Sequence, residues 1–136
     1  MRLGKASLAG LYAALEMAAD PARHVSAGEI AEAYGISSHH LAKVMRTLVR
    51  AGLATSVLGP GGGYRFAGNP RRTTLLDIIA LFEDVDEAPA LAADPATTSP
   101  FATALAEVGE EIDASSAATL GSITLAALLR NAGCNP

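Results

Sequence analysis

The sequence is poor in cysteine, in aromatic residues and in long apolar runs. Cys134 is its single cysteine, which excludes an internal disulfide and any metal site made of cysteines alone. No run of about eighteen consecutive residues is apolar, so no membrane-spanning helix is expected. The N-terminus also lacks a signal-peptide pattern, because the apolar stretch after Lys5 is interrupted. Together these absences predict a cytoplasmic protein without a membrane partner.

A catalytic constellation is missing as well. Serine, histidine and aspartate are present, but none lies in a nucleophile elbow or a comparable context. His39 and His40 are adjacent, and neighbours on a helix point about 100° apart, so a shared metal ion is disfavoured. The glycines of 59–63 are not followed by Lys and then Ser or Thr, which disfavours a phosphate-binding loop. We therefore predict no enzyme, no metal and no cofactor, and the sequence contains no indication of an effector.

Acidic residues outnumber basic ones, and the formal net charge of −4 is unusual for a protein that binds DNA. The two halves of the chain differ, however. Residues 1–72 carry nine basic and four acidic groups, a net charge of +5, whereas residues 73–136 carry one basic and ten acidic groups, a net charge of −9. The basic half can meet a polyanion and the acidic half should avoid it. Chance clustering on a solvated surface is the alternative.

Apolar periodicity and capping residues predict three helices in the basic half. The first covers about residues 5–19. Ser26 begins the second in a capping box with Glu29, and Gly35 ends it as a left-handed residue. Ser37 begins the third, and the tight turn between the last two helices is typical of a helix-turn-helix. The predicted buried stripes are Leu8, Leu11, Tyr12, Leu15 and Ala19 on the first helix and Leu41, Val44, Met45, Leu48 and Val49 on the third.

A β-hairpin is predicted directly after the third helix. Residues 53–58 are β-prone, the glycine-rich segment 59–63 must turn, and residues 64–67 return as a second strand. A hairpin in this position is a wing, which can approach the DNA backbone or minor groove closely because glycine has no side chain. A plain turn is the alternative. The predicted fold class is mainly α, with residues 1–72 forming a winged helix-turn-helix DNA-binding domain.

Residues 73–136 are predicted to form a linker helix, a loop and dimerisation helices. Thr74 caps the linker helix, residues 83–100 lack periodicity, and a long helix begins near Pro100. A last short helix covers about residues 125–131. Four apolar residues of the long helix recur at steps of four, three and four, which suits packing against a second copy or against the chain's own first helix. They are Phe101, Leu105, Val108 and Ile112.

The exposed face of the third helix is the predicted DNA-contacting surface. A helix fits the major groove, where polar side chains of its first turn can hydrogen-bond to base edges. Cationic side chains further along can reach phosphates. For each histidine, an ordinary surface or packing role is the alternative. The predicted contacts outside the wing are Arg2, Lys5, Ser37, Ser38, His39, His40, Lys43 and Arg46, and those on the wing are Gly61, Gly62, Gly63, Tyr64 and Arg65.

Several short motifs carry a family resemblance that extends over nearly the whole chain. They are Met1-Arg2-Leu3, Gly35-Ile36-Ser37, Leu41, Ala51-Gly52-Leu53, Gly59-Pro60-Gly61-Gly62-Gly63-Tyr64 and Ile123-Thr124-Leu125-Ala126. On these motifs the chain resembles the small winged-helix regulators that include the iron–sulfur cluster assembly regulator, the nitric-oxide-sensing repressor and the cysteine-metabolism repressor. His40 and Lys43 are similar to the nitric-oxide-sensing branch. The resemblance implies a homodimer paired through the long helix, and DNA contact by the third helix and the wing.

Three features depart from the family pattern. Many members bind an iron–sulfur cluster through three cysteines in the segment that matches residues 86–106, and this chain has none there. Leu8 stands where the nitric-oxide branch has an acidic ligand, and Leu58 stands where an arginine often precedes the wing glycines. We therefore predict a cluster-free, sequence-specific repressor that binds a palindromic operator. The alternative is a winged-helix module that binds a partner protein, which should expose apolar residues on the third helix.

Overall fold

The computed structural model describes residues 3–83 and 88–134. Within these ranges the elements follow the order predicted from the sequence, and the fold class is confirmed as mainly helical with one antiparallel hairpin. No helix of the described ranges is long and apolar enough to cross a membrane. The elements are α1 (Lys5–Ala19), α2 (Ala27–Tyr34), α3 (Ser38–Arg50), β1 (Ala54–Val57), β2 (Gly63–Phe66), α4 (Leu75–Ala80), α5 (Pro100–Ser122) and α6 (Leu125–Asn131).

The ends of α2 follow from local side-chain chemistry, with one difference from the expectation. The Ser26 hydroxyl accepts from the Glu29 N–H at 3.1 Å, and Gly35 closes the helix with φ of 63°. The predicted return bond from the Glu29 carboxylate to Ser26 is wrong, because that carboxylate accepts from Arg23 Nη2 at 2.5 Å. A charge-assisted bond to a guanidinium is stronger than a bond to a neutral N–H. A complete capping box forms instead between Thr74 and Asp77 at the start of α4.

The helix α3 is divided sharply into a buried and an exposed face. The Ser37 hydroxyl caps it by accepting from the His40 N–H at 3.1 Å, as expected. Val49, predicted to lie in the buried stripe, is instead 37% exposed at its edge. The other four residues of the stripe are buried, namely Leu41, Val44, Met45 and Leu48. The core therefore holds one face of α3 and leaves the opposite face to solvent.

The buried face of α1 differs from the predicted stripe. Leu8 is 43% exposed, whereas Ala13, Ala14 and Met17 are fully buried. The physical reason is that α1 lies at the centre of the fold and packs against α2, α3, β2, α4 and α6. Close approach on several sides selects small residues, and a Cβ at Gly10 would overlap the ring of Phe82. The spacing of the large apolar residues alone therefore predicted part of the buried face of α1 wrongly.

The wing consists of β1, β2 and the turn between them, residues 54–66. Ala54 pairs with Phe66 at its base, where both are buried. Towards the tip, Thr55, Ser56 and Val57 are exposed. The base of the wing is thus part of the core, and its tip projects away from it.

The elements after the wing complete the same core. The buried residues Ile78, Leu125 and Leu129 belong to one hydrophobic cluster with α1 and α3. Two backbone hydrogen bonds of 2.9 Å, from Leu75 N to Ile123 O and from Leu125 N to Thr73 O, join the starts of α4 and α6. By contrast, α5 buries only Gly109. Of the predicted loop 83–100, residues 83 and 88–99 contain no helix or strand, and Pro100 already begins α5.

Candidate nucleic-acid interface

The exposed face of α3 carries only polar, cationic and small side chains apart from Val49 at its edge. Ser38, His39, Lys43 and Arg46 are all exposed there. No acidic residue occurs between Ser38 and Arg50, and within residues 3–83 and 88–134 neither Lys43 nor Arg46 forms an ion pair. Within the described residues these cations are therefore not neutralised by ion pairs. The helix presents Lys43 and Arg46 about one turn apart on its exposed face, where cationic side chains can contact phosphates.

The fold brings Lys5 next to the start of α3. Lys5 opens α1, yet it lines one cleft together with Ser37 and His40. The Ser37 oxygen is occupied as the helix cap, but a hydroxyl can still donate its own proton. His40 is half-buried, and its Nε2 is a buried atom without a hydrogen-bond partner in the described part of the chain. Arg2, also predicted as a contact, lies outside the described residues.

The tip of the wing is built from glycines that could not be replaced freely. Gly61 has φ of 75° and faces open space, which suits a backbone that must turn. Gly62 follows in the turn, where a Cβ would overlap the carbonyl oxygen of Val57. Leu58, beside this turn, is 94% exposed. The tip therefore offers glycine backbone and the exposed apolar side chains of Leu58 and Pro60 to an approaching surface.

Tyr64 and Arg65 attach the wing to the body of the domain. Tyr64 is half-buried and packs against the core. Arg65 is exposed, and its Nε donates to the carbonyl oxygen of Pro21 at 3.1 Å. That bond uses one of the five N–H groups of the guanidinium and leaves four for other partners. Both residues thus have a structural role, and their contact with DNA stays a prediction.

The apolar row of α5, defined as Phe101, Leu105, Val108 and Ile112, lies on the surface of the single chain. The exposed fractions of these residues are 80%, 53%, 47% and 45%. The row therefore does not pack against α1, which was the alternative left open by the sequence.

Sequence reasoning missed a pair of stacked tyrosines beside the Lys5 cleft. The rings of Tyr12 and Tyr34 lie 4.2 Å apart and 8° from parallel. The Tyr34 hydroxyl donates to the Glu16 carboxylate. Burial, and secondly this bond to Glu16, raises the pKa of Tyr34 to about 12. The two tyrosines lie on different helices, so no local sequence signal could have revealed the pair.

The geometry of an exposed cationic helix beside a glycine-tipped wing agrees with comparison to known families. A sequence profile of the Rrf2 family, described as iron-dependent transcriptional regulators, matches residues 3–131. The chain belongs to the Rrf2 family. It is 56% identical over 131 residues to the HTH-type transcriptional regulator BadM of Rhodopseudomonas palustris, a match that covers 96% of this chain and 82% of BadM. This Rrf2 protein is accordingly a DNA-binding transcriptional regulator.

Solved Rrf2 structures have the same architecture. IscR of T. potens superposes with a TM-score of 0.76 at 30% identity, covering 97% of this chain and 88% of IscR. CymR of B. subtilis, named as the global cysteine regulator, superposes with a TM-score of 0.71 at 22% identity, covering 96% of this chain and 98% of CymR. At that identity the second likeness concerns the fold alone.

The iron in the family description does not fit the residues of this chain. An iron–sulfur cluster is held mainly by cysteine thiolates, and Cys134 is the only cysteine in the sequence. In the part of the chain that the structure describes, no three His, Cys, Asp or Glu side chains are grouped so that they could hold a metal ion. Residues 86–106, where the family resemblance places cluster cysteines, contain no cysteine.

Proposed function

We propose that this Rrf2 regulator is a repressor that binds a palindromic operator as a homodimer and without an iron–sulfur cluster. The observation that carries the proposal is the exposed face of α3, which combines hydrogen-bonding side chains in its first turn with unneutralised cations further along. The opposite face is held in the core, so the helix can enter a major groove as a rigid body. Because DNA is the proposed partner, the proposal also implies a cytoplasmic location.

The proposed contacts divide by chemistry. Ser38 and His39 can donate to or accept from base edges, since the side chains of the first turn reach deepest into the groove. Lys43 and Arg46 contact phosphates, which supplies affinity and not sequence preference. The remaining proposed contacts are Arg2, Lys5, Ser37 and His40 near the start of α3, and Gly61, Gly62, Gly63, Tyr64 and Arg65 on the wing.

The proposed dimer forms through the apolar row of α5. A row of four large apolar side chains over about three turns is left largely uncovered by the described part of its own chain, since each is at least 45% exposed. Steps of four, three and four keep the row on one side of the helix, which suits pairing with an identical helix across a two-fold axis. Two α3 helices related by that axis would meet half-sites about one helical turn apart.

The opposite net charges of the two halves of the chain support the same arrangement. We assign residues 1–72 to DNA binding and residues 73–136 to the linker helix, the loop and the dimerisation helices. The first carries the net positive charge and the second the net negative charge. The negative field of the acidic half repels phosphates. The acidic half is therefore suited to protein contact and the basic half to DNA.

A binding-site selection followed by a salt titration tests the proposal. The purified protein is expected to enrich palindromic duplexes, and the affinity for the selected operator should fall steeply as salt rises, because each neutralised phosphate releases counterions. Transcription in vitro from a promoter that overlaps this operator should decrease when the protein is added. Failure to bind any duplex would favour the alternative of a module that binds a partner protein, and increased transcription would contradict repression.

A further inference from the structure

A cleft of about 460 Å³ opens between the N-terminal part of α1 and the turn that joins α2 to α3. Sites for small molecules in proteins range from about 300 to 1,000 Å³, so the volume suits a small ligand. The side chains that define its chemistry are Lys5, Tyr12, Tyr34, Ile36, Ser37 and His40.

One part of the cleft is lined by two stacked aromatic rings. Tyr12 and Tyr34 are stacked 4.2 Å apart, and the hydroxyl of Tyr34 is held by Glu16. The bond to Glu16 restrains the Tyr34 ring, on which the Tyr12 ring stacks. Aromatic faces favour planar, unsaturated partners, which stack on them in offset or edge-on geometry. The wall therefore selects for a planar group.

The other chemistry of the cleft is cationic and hydrogen-bonding. Lys5 contributes an ammonium group, and none of the residues that line the cleft is acidic. His40 adds a buried Nε2 that lacks a hydrogen-bond partner in the described residues. Buried polar atoms in proteins nearly always have a partner, so this unsatisfied nitrogen on a side chain that lines the cleft favours a ligand that can hydrogen-bond to it. Charge and hydrogen bonding thus favour an anion.

We propose that this cleft binds a small planar organic anion, such as a ring carboxylate, and that binding releases the operator. The ring of the ligand lies against the Tyr12 and Tyr34 pair, and its anionic group lies near Lys5 and His40. The second part rests on the proposed function, because Lys5, Ser37 and His40 are also proposed DNA contacts. A ligand that occupies these groups competes with the duplex, and competition is reciprocal.

Titration of the full-length protein without DNA tests the cleft itself. The probes are nicotinate, which is planar and anionic, nicotinamide, which is planar and neutral, and acetate, which is anionic without a ring. Nicotinate is expected to shift the NMR signals of the His40 and Tyr12 side chains saturably. Nicotinamide should bind more weakly by about tenfold, and acetate should leave the Tyr12 signals in place. The proposal is overturned if nicotinate leaves these signals unchanged, or if nicotinamide binds equally well.

Two variants and a matched control locate the binding. Tyr12→Leu removes the aromatic face while keeping an apolar side chain, and we expect nicotinate affinity to fall by about tenfold or more. His40→Leu should weaken nicotinate in the same way. His39→Ala is the control, since its neighbouring imidazole is exposed and does not line the cleft. Thermal melting verifies that each variant folds, and equal nicotinate affinity in all three would place the ligand elsewhere.

Measurements of operator binding distinguish failure of this inference from failure of the proposed function. Nicotinate should weaken operator binding by the wild type, whereas Tyr12→Leu, which is not a proposed DNA contact, should bind the operator normally and ignore nicotinate. Nicotinate binding without any effect on operator affinity would overturn the release mechanism. If no duplex is bound at all, the proposed function fails, while the NMR titration still decides whether the cleft binds the anion.

Discussion

The backbones of Val25 and Tyr64 are joined by two hydrogen bonds, from Val25 N to Tyr64 O at 2.9 Å and from Tyr64 N to Val25 O at 2.8 Å. They attach the wing to the segment that precedes α2, in addition to its covalent connection with α3. Gly63, next to Tyr64, has φ of 145°, and a Cβ there would lie 2.7 Å from the carbonyl oxygen of Val25. These bonds and the close approach at Gly63 fix the position of the wing relative to the helix-turn-helix.

Replacement of Gly63 should loosen this attachment. In Gly63→Ala the added methyl group meets backbone that cannot move aside and the residue keeps an unfavourable φ, so we expect a loss of about 1–3 kcal/mol in the free energy of unfolding. Denaturant titration measures it. Gly28→Ala is the control, because that glycine lies in α2 with only the Ser26 hydroxyl nearby; it should stabilise by about 0.5–1 kcal/mol. Equal stability of the two variants would contradict the role given to the close approach.

Loss of a cation from α3 should weaken operator binding without unfolding the protein. Lys43→Ala and Arg46→Ala each remove an exposed side chain, and each is expected to lower the salt slope of binding by about one. Arg130→Ala is matched in charge and exposure but lies on α6, and it should leave the slope unchanged. If all three behave alike, α3 is not the helix that contacts DNA.

Carboxylates placed in the apolar row of α5 should produce monomers. Val108→Asp with Ile112→Asp would bury unpaired charges in the proposed interface, and sedimentation should show dissociation together with loss of tight operator binding. Thr103→Asp with Ala114→Asp adds the same charge at exposed positions about 200° and 220° around α5 from Phe101, and this control should stay dimeric. A wild-type protein that sediments as a monomer at tens of micromolar would defeat the prediction.

The raised pKa of Tyr34 predicts how the free energy of unfolding depends on pH. Its pKa rises from 10.0 to about 12 on folding, chiefly through burial and secondly through the bond to Glu16. The contribution to stability is therefore complete below pH 10 and is lost as the pH rises towards 12, since the unfolded chain deprotonates first. Unfolding free energies of the wild type and Tyr34→Phe should converge or cross over this window. A difference between them that does not depend on pH would show that Tyr34 does not titrate as stated.

Protein purified without oxygen should be colourless and free of stoichiometric iron and sulfide. One cysteine in each chain cannot supply the thiolates of a cluster. Iron and acid-labile sulfide analysis measures this directly, with Cys134→Ser as the comparison. A brown preparation that loses its colour in Cys134→Ser would reveal ligation by cysteines paired across a dimer.

Those features that depend on neighbouring residues could be predicted from the sequence. The caps at Ser26, Ser37 and Thr74 and the left-handed Gly35 are local, because a side chain or a backbone torsion satisfies groups only a few residues away. The order of helices and wing follows from such signals together with apolar periodicity. The exposed cationic face of α3 was predictable in the same way, since a helix fixes which residues share a side.

Tertiary structure alone decided which surfaces meet. The stacking of Tyr12 on Tyr34 and the approach of Gly63 to Val25 join groups that are distant in the sequence, and the core face of α1 depends on the elements packed around it. Periodicity gives the direction of a side chain relative to its own helix, but it carries no information about which element lies opposite. The sequence by itself therefore determined the elements and the chemistry they display. Packing determined the central position of α1, the cleft beside α3 and the fixed orientation of the wing. These features depend on distances between segments that only a folded chain defines.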